Sequence, residues 1–180
     1  MLTKLLSRAE CAACKECCVF SLYDIWEQPA LSPENYQKAR LLLPDAEFIH
    51  KGQESFLFRI RETNSIPHSD LFLCPLLDTE KGCLLGTEKP FECRIYPFQV
   101  TELNGRLAIT LSPLCEVMLQ KPVGTLLEVL KTELAEKIFS YAEQHPDIIR
   151  SYDDRNPVLL WKSQNFENYL EELNHVESKL

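Results

Sequence analysis

The chain has 180 residues, 45% hydrophobic and 26% charged, with a net charge of −8. A chain of that length buries roughly 70% of its unfolded surface, so it needs no covalent staples to fold. The acidic balance excludes nucleic acid as a general partner, because it repels phosphate backbones, and no apolar run reaches transmembrane length.

The opening stretch, Met1 to Arg8, lacks the apolar segment and cleavage site of a signal peptide. The expected compartment is therefore the cytosol, where thiols stay reduced. Eight cysteines in that setting point to metal or redox chemistry rather than to disulfides or scattered core thiols. All of them fall between Cys11 and Cys115, which divides the chain by content into a cysteine-bearing region, 1–120, and a cysteine-free region, 121–180.

In chain order, Leu2 to Arg8 reads as a short helix. Ser32-Pro33-Glu34 is a helix start, with serine as N-cap and proline at the first helical position. Tyr36, Ala39, Arg40, Leu42 and Leu43 follow at helical spacing until Pro44. Phe56, Phe58 and Ile60 alternate with Leu57, Arg59 and Arg61 as in a strand. Phe98 to Glu102 and Arg106 to Leu111 flank Asn104-Gly105, a pair that tolerates the positive φ angles of a tight hairpin. Thr125-Leu126-Leu127-Glu128 has the form of a capping box. Leu126, Leu130, Leu134, Ile138 and Tyr141 then run at helical spacing until His145-Pro146, and a last helix is expected from Ser163. The predicted class is α+β: a small cysteine-rich metal-binding core with a β-hairpin, and C-terminal helices packed on it as one compact domain. Those helices cover the core, or else present a face to a protein partner.

The chemistry is concentrated in the cysteines. Cys11-x-x-Cys14-x-x-Cys17-Cys18 aims several sulfurs at one point from a short loop. One Cys-x-x-Cys pair is half of a typical zinc site, and three in series resemble the cysteine run of bacterial ferredoxins. Adjacent side chains diverge, so Cys17 and Cys18 are expected to serve different metals or different corners of one cluster. Cys74-Pro75, Gly82-Cys83, Pro90-Phe91-Glu92-Cys93 and Pro113-Leu114-Cys115 each place a cysteine near a residue that fixes or frees the backbone. These four are too far apart to form a local knuckle. The fold must gather them, and the expected place is around the N-terminal loop.

The run Cys11 to Cys18, Cys74-Pro75-Leu76-Leu77-Asp78, Gly82-Cys83 and Lys89-Pro90-Phe91-Glu92-Cys93-Arg94-Ile95-Tyr96-Pro97-Phe98 resembles the YkgJ-type cysteine-cluster family, described as a zinc- or iron-chelating domain. The likeness spans about residues 11 to 115. It departs at Lys89, where arginine is usual, and at Lys15, where glycine often falls. A related cysteine-rich domain occurs in flagellin lysine methylases, which gives an enzymatic precedent but assigns no activity here.

The expectation is thus an intracellular protein holding zinc or an iron–sulfur cluster through Cys11, Cys14, Cys17, Cys18, Cys74, Cys83, Cys93 and Cys115. Zinc closed by thiolates would be structural. An iron–sulfur cluster would open electron transfer, sensing or substrate activation. Two rivals remain: a metal- or cluster-dependent protein-modifying enzyme, transferase or oxidoreductase, and a metal-scaffolded interaction module. Asp78 reads as a turn-former or a hard ligand, and Arg94 as a counter-charge to thiolates or a surface ion-pair partner. Tyr96 reads as packing. His50, His68, His145 and His175 show no paired ligand spacing.

Overall fold

The computed structural model describes Leu2, residues 4–7, Glu10, residues 14–21 and residues 28–162. It is a mixed helix-and-sheet protein with several small sheets. Among the described N-terminal residues a single turn stands where a short helix is expected. The Leu6 amide donates to the Leu2 carbonyl at 2.9 Å, and Leu2 and Leu5 are buried in the main core.

After the short strand β1 (Val19–Ser21), helix α1 (Pro33–Leu42) begins as the sequence predicts: Ser32 Oγ accepts from the Asn35 amide at 3.3 Å. Ala39 is its buried residue, whereas Leu42 is 48% exposed, so the apolar stripe is narrower than the spacing suggests. Strands β2 (Phe48–Lys51) and β3 (Ser55–Phe58) form an antiparallel hairpin. Only β3 was legible from alternation. Tyr36 of α1 stacks on Phe56 at 3.9 Å and meets Phe48 edge-on at 4.9 Å.

The tip of this hairpin is held from far along the chain. Asp147 accepts from the amides of Gln53 at 3.2 Å, Glu54 at 3.1 Å and Ser55 at 3.1 Å. Burial pushes its pKa up, but these amides and the Ser55 hydroxyl together hold it below the usual carboxylate range. Gly52 has φ +63°, and a Cβ there would lie 1.8 Å from Asp147 Oδ1. Gly52→Ala therefore combines left-handed strain with displacement of a carboxylate that satisfies three amides. It should cost about 2 kcal/mol in urea unfolding. A variant within a few tenths of wild type would show that the loop simply relaxes.

Next come β4 (Leu71–Leu73), β5 (Leu77–Asp78), β6 (Gly82–Cys83) and the short helix α2 (Phe91–Ile95). β1 pairs antiparallel with β4, and β5 with β6. β7 (Phe98–Leu103) and β8 (Arg106–Leu111) make the predicted hairpin, with φ 53° at Asn104 and 73° at Gly105. The helices that follow are α3 (Glu116–Leu119), α4 (Val123–Val129) and α5 (Ala135–Gln144), the last two joined by a π turn over Leu130–Leu134.

Two expectations for the C-terminal region are corrected. First, α4 starts at Val123 after Pro122, so Thr125 lies inside the helix and is not its cap. Pro122 stands at the N-cap, where its missing amide costs the helix no hydrogen bond. Second, the region is not purely helical. β9 (Arg150–Ser151) and β10 (Val158–Trp161) join the sheet in the order β10-β8-β7-β9, with β9 parallel to β7. The cysteine-bearing and cysteine-free regions thus share one sheet and one core, which includes Phe98, Ile109, Cys115, Leu126, Ile138 and Leu160. A smaller core gathers Leu31, Ala39, Phe58, Leu76 and Leu85, with Cys74 and Cys83 packed against it. The helix expected from Ser163 lies outside the described residues. No described helix is long and apolar enough to cross a membrane.

Candidate metal centre

Cys17 and Cys18 sit on a 3-10 turn, Glu16–Cys18, entered through Lys15 in the left-handed region at φ 58°. The Lys15 ammonium donates to the Thr79 carbonyl at 2.8 Å, which ties the turn to the β5–β6 hairpin. The β1–β4 pairing continues into the site, where the Cys74 amide donates to the Cys18 carbonyl at 2.7 Å. The first cluster and the first distant cysteine are therefore joined by backbone.

Cys74-Pro75-Leu76-Leu77 closes a turn, with the Leu77 amide on the Cys74 carbonyl at 2.9 Å. Leu77 pairs with Cys83 across the β5–β6 hairpin, whose bend uses Gly82 at φ 81°. Asp78 serves that bend: Oδ1 accepts from Glu80 at 2.9 Å and Lys81 at 2.8 Å, and these amides hold its carboxyl below the usual range. It is a turn-former. α2 carries Cys93, and Cys115, 3% exposed, precedes α3.

The thiols feel one another. Burial pushes the Cys74 thiol up to about 12; the Leu76 amide bonded to it opposes this, and Cys83 and Cys17 add to the rise. Burial also pushes Cys93 well above its ordinary value, with further contributions from Cys17, Cys74, Glu92 and Cys83. The Tyr96 hydroxyl is raised by burial and, more weakly, by Cys17, Cys115 and Cys14, while Ser112 beside it acts the other way. Cys14, Cys17, Cys93 and Cys115 line one narrow cleft with Tyr96. The fold thus brings Cys14, Cys17, Cys74, Cys83, Cys93 and Cys115 into one region, and Cys11 lies outside the described residues.

The divergence expected of Cys17 and Cys18 is not what the fold produces. Their sulfurs are 3.9 Å apart, close to the edge of about 3.8 Å for a tetrahedron with 2.3 Å metal–sulfur bonds. Divergence holds along a uniform helix or strand, but these residues stand where the 3-10 turn passes into β1. Among the described residues no cysteine forms a disulfide, and no group of three or more His, Cys, Asp or Glu side chains stands in an arrangement that could hold a metal ion.

The Arg94 guanidinium lies over the Phe91 ring at 5.4 Å, and its Nε is buried without a hydrogen-bond partner. His50 contacts Phe56 and His145 contacts Tyr141 as packing rings; His68 is exposed at φ 60°, and His175 lies outside the described residues. Sequence reasoning missed Glu92 and Arg150. Arg150 donates to Glu92 Oε1 from Nε at 3.1 Å and Nη2 at 2.8 Å, and the Ala30 amide donates to Oε2 at 2.5 Å. This pair lines a cavity of about 50 Å³ together with Cys17, Cys93 and Tyr96. Its only sequence signal was the position of Glu92 directly before Cys93.

No protein-family model, curated protein or solved structure matches this chain.

Proposed function

We propose that this protein binds a thiophilic metal, zinc or an iron–sulfur cluster, through its cysteines. The observation that carries the reading is the gathering of Cys17, Cys74 and Cys83, from three separate segments, within electrostatic reach of Cys93 on a fourth. Packed thiols raise one another's pKa and gain little by meeting; a cation that binds thiolate supplies the reason for the arrangement. The donor set suits the metal: soft sulfur ligands select zinc or iron–sulfur over hard cations. The Leu76 amide on Cys74 is the kind of bond that supports a thiolate ligand. The motif order, similar to that of the YkgJ-type family, points the same way. Closure of the thiols about the metal is part of the proposal, since ligands and fold form together in such sites.

The test is anaerobic purification followed by metal analysis and visible absorbance. Stoichiometric zinc in a colourless protein, or iron and sulfide with charge-transfer absorbance, supports the reading. Protein with intact thiols and neither metal above trace levels refutes it. The enzymatic reading draws on the cavity beside Cys17 and Cys93. At about 50 Å³ it admits a few water-sized molecules. It therefore favours a metal position reached by water or a small ligand over one reached by a protein side chain.

A further inference from the structure

We propose that Cys17 and Cys18 are a peroxide-sensitive pair: hydrogen peroxide enters the cavity beside Cys17 and oxidises its sulfur, and Cys18 then closes a reversible vicinal disulfide. The pair needs no metal to react. Two independent geometric features carry the assignment, one in the pair itself and one in the space beside it.

The two sulfurs are 3.9 Å apart, and both residues are half-buried where the 3-10 turn passes into β1. A disulfide bond is about 2.05 Å long, so the sulfurs must close by roughly 2 Å. Rotation about the two Cα–Cβ bonds covers that distance. The backbone around them is held in place meanwhile: the Lys15 ammonium is tied to the Thr79 carbonyl, and the Cys18 carbonyl to the Cys74 amide. Consecutive Cα atoms stand about 3.8 Å apart, below the usual disulfide span of about 4.4–6.8 Å, so the bond formed is strained and easily reduced. A bond of that kind suits a switch and not a staple.

Cys17 lines the cavity of about 50 Å³ together with Tyr96, Ser112, Glu92 and Arg150. That space admits a few water-sized molecules, and so an oxidant of two oxygen atoms, but not a bulky organic hydroperoxide. Its lining also suits peroxide. The Tyr96 hydroxyl stands 3.4 Å from Ser112 Oγ, a pair able to donate and accept, and Arg150 brings a cation fixed by Glu92. Donors and positive charge favour a step that releases hydroxide.

In that step the Cys17 thiolate attacks one peroxide oxygen, the O–O bond breaks, and hydroxide leaves and is protonated to water. Cys17 is then a sulfenic acid. The Cys18 thiolate attacks the Cys17 sulfur, the S–O bond breaks, and a second hydroxide leaves as water. Two thiols and one hydrogen peroxide thus give one disulfide and two water molecules. Both sulfurs are withdrawn as donors from any metal that the cysteines hold.

The experiment uses the full chain, reduced and stripped by chelator, then treated with one equivalent of hydrogen peroxide, blocked with iodoacetamide and digested with trypsin. Cleavage after Lys15 and Lys38 isolates Cys17 and Cys18 in one peptide with no other cysteine. The expected product is that peptide short of two hydrogens and carrying no alkyl group, restored by a low concentration of dithiothreitol. Cumene hydroperoxide should act about tenfold more slowly than hydrogen peroxide, each rate being divided by its value for the same chain in urea. In Cys18→Ser, dimedone should trap a sulfenic acid on Cys17. Both thiols alkylated after peroxide, a disulfide from Cys17 to a different cysteine, or dimedone on Cys93 in place of Cys17 overturns the proposal. So do equal normalised rates for the two oxidants, which would mean that the cavity does not control access. Disulfide mapping and oxidant selectivity are read on wild type, so they decide the matter even if the variant fails to fold. They are also read without metal, so failure of the metal-binding reading is a separate outcome.

Discussion

Cys93→Ser should strip most of the bound metal and lower the unfolding free energy by several kcal/mol. Cys93 lies half-buried on α2, with Cys17, Cys74 and Cys83 within electrostatic reach. A structural thiolate–zinc site can contribute on the order of 10 kcal/mol, comparable to a whole domain's stability. Loss of a central ligand should therefore be felt at the N-terminal turn as well as locally, because the Cys18 carbonyl and Cys74 amide link the two. Metal analysis and hydrogen exchange over residues 14–21 check this. Wild-type metal content with unchanged protection would show that Cys93 is only a packed thiol. Complete chelation of the wild type should have the same direction and a larger size.

The pH dependence follows with opposite signs in the two states. In the metal-free protein, Cys74 is raised from an ordinary value of 9.0 to about 12. The folded state then holds this proton more tightly than the unfolded chain. The resulting stability is fully present below pH 9 and is lost as pH rises toward 12. Metal binding must expel the same proton, so affinity falls as pH falls. Melting temperatures of loaded and stripped protein should therefore diverge as pH rises from about 6 toward the ordinary thiol value of 9.0. Parallel curves would argue against thiolate ligation.

Arg150→Met should be the most damaging single change away from the cysteines, at about 3–5 kcal/mol. The Arg150 and Glu92 side chains are only 18% and 11% exposed, and the two guanidinium bonds to Glu92 Oε1 span 58 residues of sequence. Removing the cation leaves a carboxylate still held by the Ala30 amide, in a region where an uncompensated charge is costly. Lys51 lies close enough to feel the pair, but burial already pushes its own pKa down, so it is a poor substitute. Pairing Arg150→Met with Glu92→Leu should recover much of the loss, because it removes the stranded charge. Urea unfolding of the single and double variants measures this. A double variant no better than the single would mean that the arginine acts through packing instead.

Local chemistry was legible wherever a few neighbouring residues decide the backbone. Ser32-Pro33 starts α1 and Asn104-Gly105 turns the β7–β8 hairpin, because an N-cap hydroxyl and a pair of left-handed residues act within three or four positions. Thr125 misled for the same reason: a capping pattern competes with a proline three residues earlier, and the proline won. β2, β9 and β10 were missed because short strands gain their stability from partners rather than from their own alternation. The Asp147 clasp on the hairpin tip and the Arg150–Glu92 pair left almost no trace, since each joins residues far apart in the chain.

By itself the sequence determined the donor atoms: soft thiols, their order, and the turns that carry Cys74 and Cys83. It also determined the helix–sheet character of the chain. Only the tertiary structure decided which thiols are neighbours. The β1–β4 ladder brings the N-terminal turn to Cys74, and Cys74 and Cys83 pack against a different core from the one that includes Cys115. The close approach of the Cys17 and Cys18 sulfurs was likewise a matter of where the turn gives way to a strand. Side-chain type is a local property, but distance between residues far apart in sequence is set by long-range burial and strand pairing.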